Sequence, residues 1–239
     1  MLYLYQEVLA GLTKAVARTQ DLSSVGFSTW GVDYALLDAT GKLLSPVHSY
    51  RDNRTEGLYD RIFRTVPREV LYEQTGIMFI RFNTLVQLYA DLIQRPWLLE
   101  NAHAMLLMPD LFAYFLTGRM TGEVTIASTT QMFSPRTFSW VPEIPARLGI
   151  PERILQPIVH PGERVGTLLP EIAEACGATP SLPVIAVGGH DTASAISAAP
   201  LEDPGSCAFI SAGTWSLLGM ELDHPITDEA ALQGISPTR

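Results

Sequence analysis

The chain has 239 residues, 47% of them apolar and 17% charged, and its 16 basic against 25 acidic side chains leave a net charge of −9. That composition supplies a packed core and excludes a disordered linker. The acidic balance gives no general attraction to nucleic acid or anionic membrane, so any phosphate must be handled at a local site. Two cysteines, Cys176 and Cys207, are too few for a disulfide scaffold and point to a reducing, cytoplasmic setting.

No apolar run reaches the roughly 18 residues of a membrane span. Residues 1–12 lack the basic start of a secretory signal. Instead Tyr5, Val8, Leu9, Leu12 and Val16 recur at helical spacing, predicting an amphipathic helix that ends near Gln20. Residues 23–38 are β-branched and apolar, and Thr40-Gly41 before Lys42-Leu43-Leu44 predicts a hairpin with a tight turn. Residues 51–71 read as loop and short helix. Leu85, Leu88, Tyr89 and Leu92 form one stripe of a helix over 84–95. More helix is expected over 98–116, with Pro109-Asp110 as a start signal and Thr117-Gly118 as the stop.

The tract 123–140, rich in Thr and Ser, takes no assignment, and Pro142, Pro145, Pro151, Pro157 and Pro161 punctuate a connection. Strand character returns over 162–169, followed by a helix over 170–176 that stops at Gly177. Residues 182–187 are continuously apolar, the pattern of a buried strand. They lead into Gly188-Gly189-His190-Asp191-Thr192 and a small-residue helix over 193–199. A linker at 202–206 precedes a fresh β pattern over 208–221. The expected division is a first domain over 1–199 and the start of a second over 200–239.

Three stretches could do chemistry. The carboxyl end of a strand in an α/β fold is where ligands bind, and there Asp191 either projects its carboxylate into a crevice or caps the helix that follows. His190 has no companion at ligand spacing, so no metal site is expected around it. Ser211-Ala212-Gly213-Thr214-Trp215-Ser216 places a Gly-Thr turn between strands. Its N–H groups and hydroxyl suit phosphate oxygens, or it is an ordinary hairpin turn; no GxxxxGK[ST] loop occurs. Trp30-Gly31 offers an aromatic wall beside bare backbone, and Asp33, Asp52 and Arg54 could bond several hydroxyls, as polyol recognition requires. The alternative there is a core Trp and a charged loop.

The stretches STWGVDYALLD, YRDNRT, FNTLVQL, LLMPDLFAYFLTG, HPGERVG, GGHDTASA and SAGTWSLLGMEL, in this order, resemble the FGGY carbohydrate kinases, most closely their rhamnulokinase branch. The resemblance implies an α/β, actin-like and ribonuclease H-like fold. The chain would hold the N-terminal, sugar-binding domain, incomplete at its start, and the first hairpin of the C-terminal, nucleotide-binding domain. Asp191 would match the catalytic base, and Gly31, His190, Asp191 and Thr192 would match sugar contacts. Thr214 would match a contact to ATP phosphates, and no residue of the chain matches a metal ligand. The implied reaction is ATP-dependent phosphorylation of L-rhamnulose to L-rhamnulose 1-phosphate, with Mg²⁺ shielding the phosphates. The implied partners are a small ketose and ATP, without nucleic acid or membrane. Departures are equally specific. The Asp-x-Gly-x-x-Ser phosphate loop is not found, Asp203-Pro204-Gly205-Ser206 being only an echo in a linker. The opening strands are lacking too, which would leave an unpaired sheet edge. Two alternatives remain open: a kinase for another ketose such as L-fuculose, and an inactive sugar-binding fragment that needs a partner half.

Overall fold

In a computed structural model the described residues are 1–19, 21–202, 204–213 and 216–234. The chain opens with helix α1 (Leu2–Arg18), then runs extended to strand β1 (Tyr34–Leu37). Helices α2 (Tyr59–Thr65), α3 (Arg68–Thr75), α4 (Thr84–Gln94) and α5 (Pro96–Asn101) follow, then β2 (Ala104–Leu107) and α6 (Met108–Thr117). A tract of short elements comes next: β3 (Gly122–Glu123), α7 (Val124–Ala127), β4 (Phe133–Ser134), β5 (Ser139–Trp140), α8 (Glu143–Arg147) and β6 (Ile158–Val159). The last part holds β7 (Arg164–Thr167), α9 (Pro170–Cys176), β8 (Pro183–Ile185), α10 (Asp191–Ser197), β9 (Ala208–Ala212), β10 (Ser216–Met220) and α11 (Glu229–Gly234).

Two layers of packing position the site. In the first, β1 pairs antiparallel with β2 in the register Tyr34↔Leu107 to Leu37↔Ala104, and all eight side chains are buried. Leu85, Leu88, Leu98 and Ile62 close over this pair in the largest apolar cluster. Each such side chain, fully buried, contributes about 1.5–3 kcal/mol. The helix expected over 98–116 is therefore interrupted. Residues 104–107 are extended because β1 offers them a complete ladder of partners, and α6 starts with Pro109 in its first turn. In the second layer, α1 and α9 pack with α6 around Leu12, Leu116, Ala173, Cys176 and Val184.

The expected hairpin is only partly formed. Asp38 N–H bonds the Lys42 carbonyl and Leu44 N–H the Leu36 carbonyl, closing the turn. Residues 23–30, however, leave that hairpin and run parallel to β8 and the loop after it, through bridges Val25↔Val184 and Thr29↔His190. The run 182–187 is not buried throughout. Leu182, Val184 and Ala186 are buried and the residues between them are half-buried, so one face of β8 packs on the helices. Gly118 and Gly177 end α6 and α9 at φ of 70° and 68°, the left-handed conformation that glycine takes without a Cβ penalty. Helix α11, which the sequence pattern does not announce, packs on α3, and the Arg136 guanidinium donates to the Thr227 hydroxyl beneath it. Among the described residues no helix is long and apolar enough to cross a membrane.

Candidate active site

The parallel run of residues 29–31 beside 188–191 builds the site. Thr29 N–H bonds the Gly189 carbonyl at 2.9 Å, and Asp191 N–H bonds the Thr29 carbonyl at 2.8 Å. This lock brings Gly31 against His190. A Cβ added to Gly31 would lie 3.3 Å from His190 Nε2 and 3.6 Å from the Thr129 methyl, so a side chain there would crowd the imidazole and the bare backbone does not. Asp191 opens α10, and its side chain is 61% exposed. Asp191 Oδ1 accepts from Thr192 N–H at 2.7 Å and lies 3.4 Å from His190 Nε2. Burial lowers the His190 pKa below its usual 6.5, against smaller opposing effects of Asp191 and Glu123, so the imidazole is neutral at pH 7. The structure thus brings Gly31, His190, Asp191 and Thr192 together. Thr214 lies outside the described residues, between β9 and β10.

Gly31 is held by an uncommon turn. Asp33 N–H bonds the Gly31 carbonyl at 2.9 Å across Val32, whose φ is 66°. This is a γ-turn with a positive-φ, β-branched centre, a strained form. Two side chains at the start of α4 hold it: Thr84 Oγ1 and Gln87 Nε2 both donate to the Val32 carbonyl, at 2.8 and 3.1 Å. The Trp30 indole donates to Asp33 Oδ2 at 2.8 Å, and burial raises the Asp33 pKa despite that bond. Trp30, Asp33, Ser49 and Tyr50 line a cleft of about 390 Å³ with Met1 and Val47.

The reading of Arg54 as a hydroxyl ligand is corrected by its place. Its side chain is 7% exposed, pairs with Asp91 at 3.6 Å and donates to Gln87 Oε1 at 2.7 Å. Arg54 thereby braces Gln87, which in turn holds Val32. Asp52 turns back on its own loop and accepts from Arg54 N–H at 2.8 Å.

The sequence patterns also miss two buried carboxyls beneath the Gly189 turn. Glu123 Oε2 accepts from Gly189 N–H at 2.9 Å, and Asp110 Oδ1 accepts from Glu123 N–H at 2.9 Å. Burial pushes the Asp110 pKa well above the usual carboxylate range, against the lowering effect of the bond from Glu123 N–H and with a smaller upward effect of the Glu123 charge. Asp110 appeared as a helix-start signal and Glu123 as the first residue of an unassigned tract, and no local pattern ties either to residue 189. Among the described residues no three His, Cys, Asp or Glu side chains group to hold a metal ion.

The model of the FGGY family of carbohydrate kinases, N-terminal domain, matches residues 2–197. The chain is 41% identical over 223 residues to a rhamnulokinase of Bacteroides thetaiotaomicron, covering 93% of this chain and 46% of that protein. It is 39% identical over 230 residues to a rhamnulokinase of Mannheimia succiniciproducens, covering 96% of this chain and 45% of that protein. It therefore spans about half the length of these relatives. A carbohydrate kinase of Novosphingobium aromaticivorans superposes with a TM-score of 0.79 at 26% identity, over 94% of this chain and 48% of that one. A xylulose kinase of Rhodospirillum rubrum gives 0.75 at 21% identity over 84% and 42%.

Proposed function

Since this chain belongs to the FGGY family of carbohydrate kinases, with their actin-like, ribonuclease H-like fold, we propose that it supplies the sugar-binding part of an ATP-dependent ketose kinase. The acceptor is L-rhamnulose, and the products are L-rhamnulose 1-phosphate and ADP. The relatives named rhamnulokinase support that choice of sugar. The division into a sugar-binding domain over 1–199 and the start of a nucleotide-binding domain over 200–239 belongs to the same reading. So does a cytoplasmic setting, where Cys176 and Cys207 stay reduced.

One observation carries the reading: an exposed carboxylate, Asp191, stands at the carboxyl end of a strand beside the bare backbone of Gly31 and a neutral His190. In phosphoryl transfer the protein chiefly positions groups and balances charge. Asp191 accepts the proton of the attacking sugar hydroxyl while that oxygen bonds the γ-phosphorus and the bond to the ADP oxygen breaks. His190 Nε2, 3.4 Å from Asp191 Oδ1, orients the carboxylate, and Gly31 and Thr192 border the sugar. Thr214 contacts the ATP phosphates. Mg²⁺ accompanying the nucleotide would shield the charge of its phosphates.

Asp191→Asn in a complete, full-length kinase carrying this chain tests this. His190, not Asp191, is the N-cap of α10, and Asn at 191 keeps the shape and an Oδ1 that can accept from Thr192 N–H, so the fold is kept. A general base is worth about 10²–10⁴ in rate, so kcat falls at least ~100-fold with sugar binding within about tenfold of the parent. Near-parental turnover ends the role of Asp191 as base. Comparing kcat/KM for L-rhamnulose with that for L-fuculose decides the sugar.

A further inference from the structure

We propose that Glu123 is the positioning residue that sets the turn carrying Asp191. The consequence for turnover rests on the reading of Asp191 above; the clamp itself does not. Glu123 is 3% exposed and precedes α7 as its N-cap. Its carboxylate accepts four hydrogen bonds. Oε1 takes Thr125 N–H at 3.0 Å, and Oε2 takes the Thr125 hydroxyl at 2.6 Å, Ile126 N–H at 3.1 Å and Gly189 N–H at 2.9 Å. Thr125 Oγ1 in turn accepts His190 N–H at 3.2 Å. Three consecutive N–H groups, those of Gly189, His190 and Asp191, are therefore each fixed to another part of the chain: Glu123, Thr125 and the Thr29 carbonyl.

A helix cap alone does not call for this residue. Ser, Thr, Asp and Asn are the preferred N-caps. Glutamate differs from aspartate by one methylene, and that added reach carries Oε2 to a residue 66 positions away in the chain. Gly189 is cut to fit the same contact, because a Cβ there would stand 2.7 Å from Glu123 Oε2. Asp110 steadies Glu123 from behind by accepting its N–H. Beyond the clamp the chain continues directly into Asp191, so the direction of the Asp191 carboxylate is inherited from the 189–190 backbone.

Two variants of the full chain separate clamp from cap by site-resolved amide hydrogen exchange. Glu123→Asp keeps a capping carboxylate but loses reach. The Gly189 and His190 amides should exchange at least ~10-fold faster, while Thr125 and Ile126 stay within about threefold of the parent. Glu123→Gln keeps reach but sets an amide NH₂ against one cap donor, so the pattern reverses: Thr125 exchanges faster and Gly189 stays protected. A Gly189 amide that stays protected in Glu123→Asp, or that is lost equally in both variants, overturns the proposal. Turnover of Asp191→Asn reports separately. It can fail with the clamp intact, and exchange can show no clamp while Asp191 still acts as base. With both holding, Glu123→Asp lowers kcat about tenfold or more and leaves KM for the sugar within about threefold.

Discussion

Replacing Asp91 by alanine removes the buried carboxylate that pairs with Arg54. Asp91 is 4% exposed in its side chain and serves three partners: the Tyr34 hydroxyl at 2.6 Å, Arg95 Nη2 at 2.5 Å and Arg54 Nε at 3.6 Å. Arg54 is 7% exposed, and the carboxylate of Asp52, 3.9 Å away, is 45% exposed and well solvated. Alanine leaves a buried guanidinium without its ion-pair partner, the more distant Asp33 charge only partly standing in, at a cost of about 3–5 kcal/mol. It also strands a buried Tyr34 hydroxyl, which alone costs about 1–3 kcal/mol. These overlap, so the expected loss is about 3–5 kcal/mol, read as a fall in Tm of about 6–20 °C for a chain of this length. The exposed pair Glu56 and Arg81, 3.8 Å apart, is the control, and Glu56→Ala should change stability by less than about 1 kcal/mol. Thermal and denaturant unfolding measure both variants. A loss below about 1 kcal/mol for Asp91→Ala would refute the view that Arg54 depends on Asp91 for its burial.

The other expectations concern the support of the Gly189 turn. Asp110 has a folded-state pKa raised well above its ordinary 3.8, so its contribution is fully present below that value and is lost as pH rises through the folded pKa. The loss proceeds at up to about 1.4 kcal/mol per pH unit. Asp110→Asn keeps an oxygen for Glu123 N–H and escapes that loss. It should melt at or above the parent at pH 7 and level with it near pH 3.5, and a gap that does not change with pH contradicts the assignment. Gly189→Ala forces a Cβ to 2.7 Å from Glu123 Oε2 and 3.1 Å from the Pro109 ring, overpacking that costs about 1–3 kcal/mol. The same alanine should cost less in a Glu123→Asp background, and a full additive cost there speaks against the contact.

Where local chemistry decides an element, the sequence by itself was enough. Helix α9 begins at Pro170 and ends at Gly177 because ring and missing Cβ suit those two positions, whatever surrounds them. Helix α4 follows from its apolar stripe, and α6 stops at Gly118 for the same reason as α9. The family, too, was legible from short motifs spread over the chain, Trp30-Gly31-Val32-Asp33 and Gly188-Gly189-His190-Asp191 among them, and with it the fold. Those motifs also brought Gly31, His190 and Asp191 forward as site residues.

Tertiary structure alone decided the rest. Residues 104–107 have the composition of a buried helix segment and are a strand because Tyr34–Leu37, some 70 positions earlier, supplies their hydrogen bonds. Arg54 reads as a loop cation and lies in the core because Asp91 and Gln87 on α4 meet it there. Val32 accepts a strained γ-turn because Thr84 and Gln87 hold its carbonyl. Glu123 opens a tract with no period at all, and its role exists only where the chain returns 66 residues later with Gly189. Propensity and periodicity register a residue's neighbours within a few positions. A buried carboxylate or guanidinium is placed by whichever donors and acceptors the packed chain brings within about 3 Å, and that distance in space has no counterpart along the sequence.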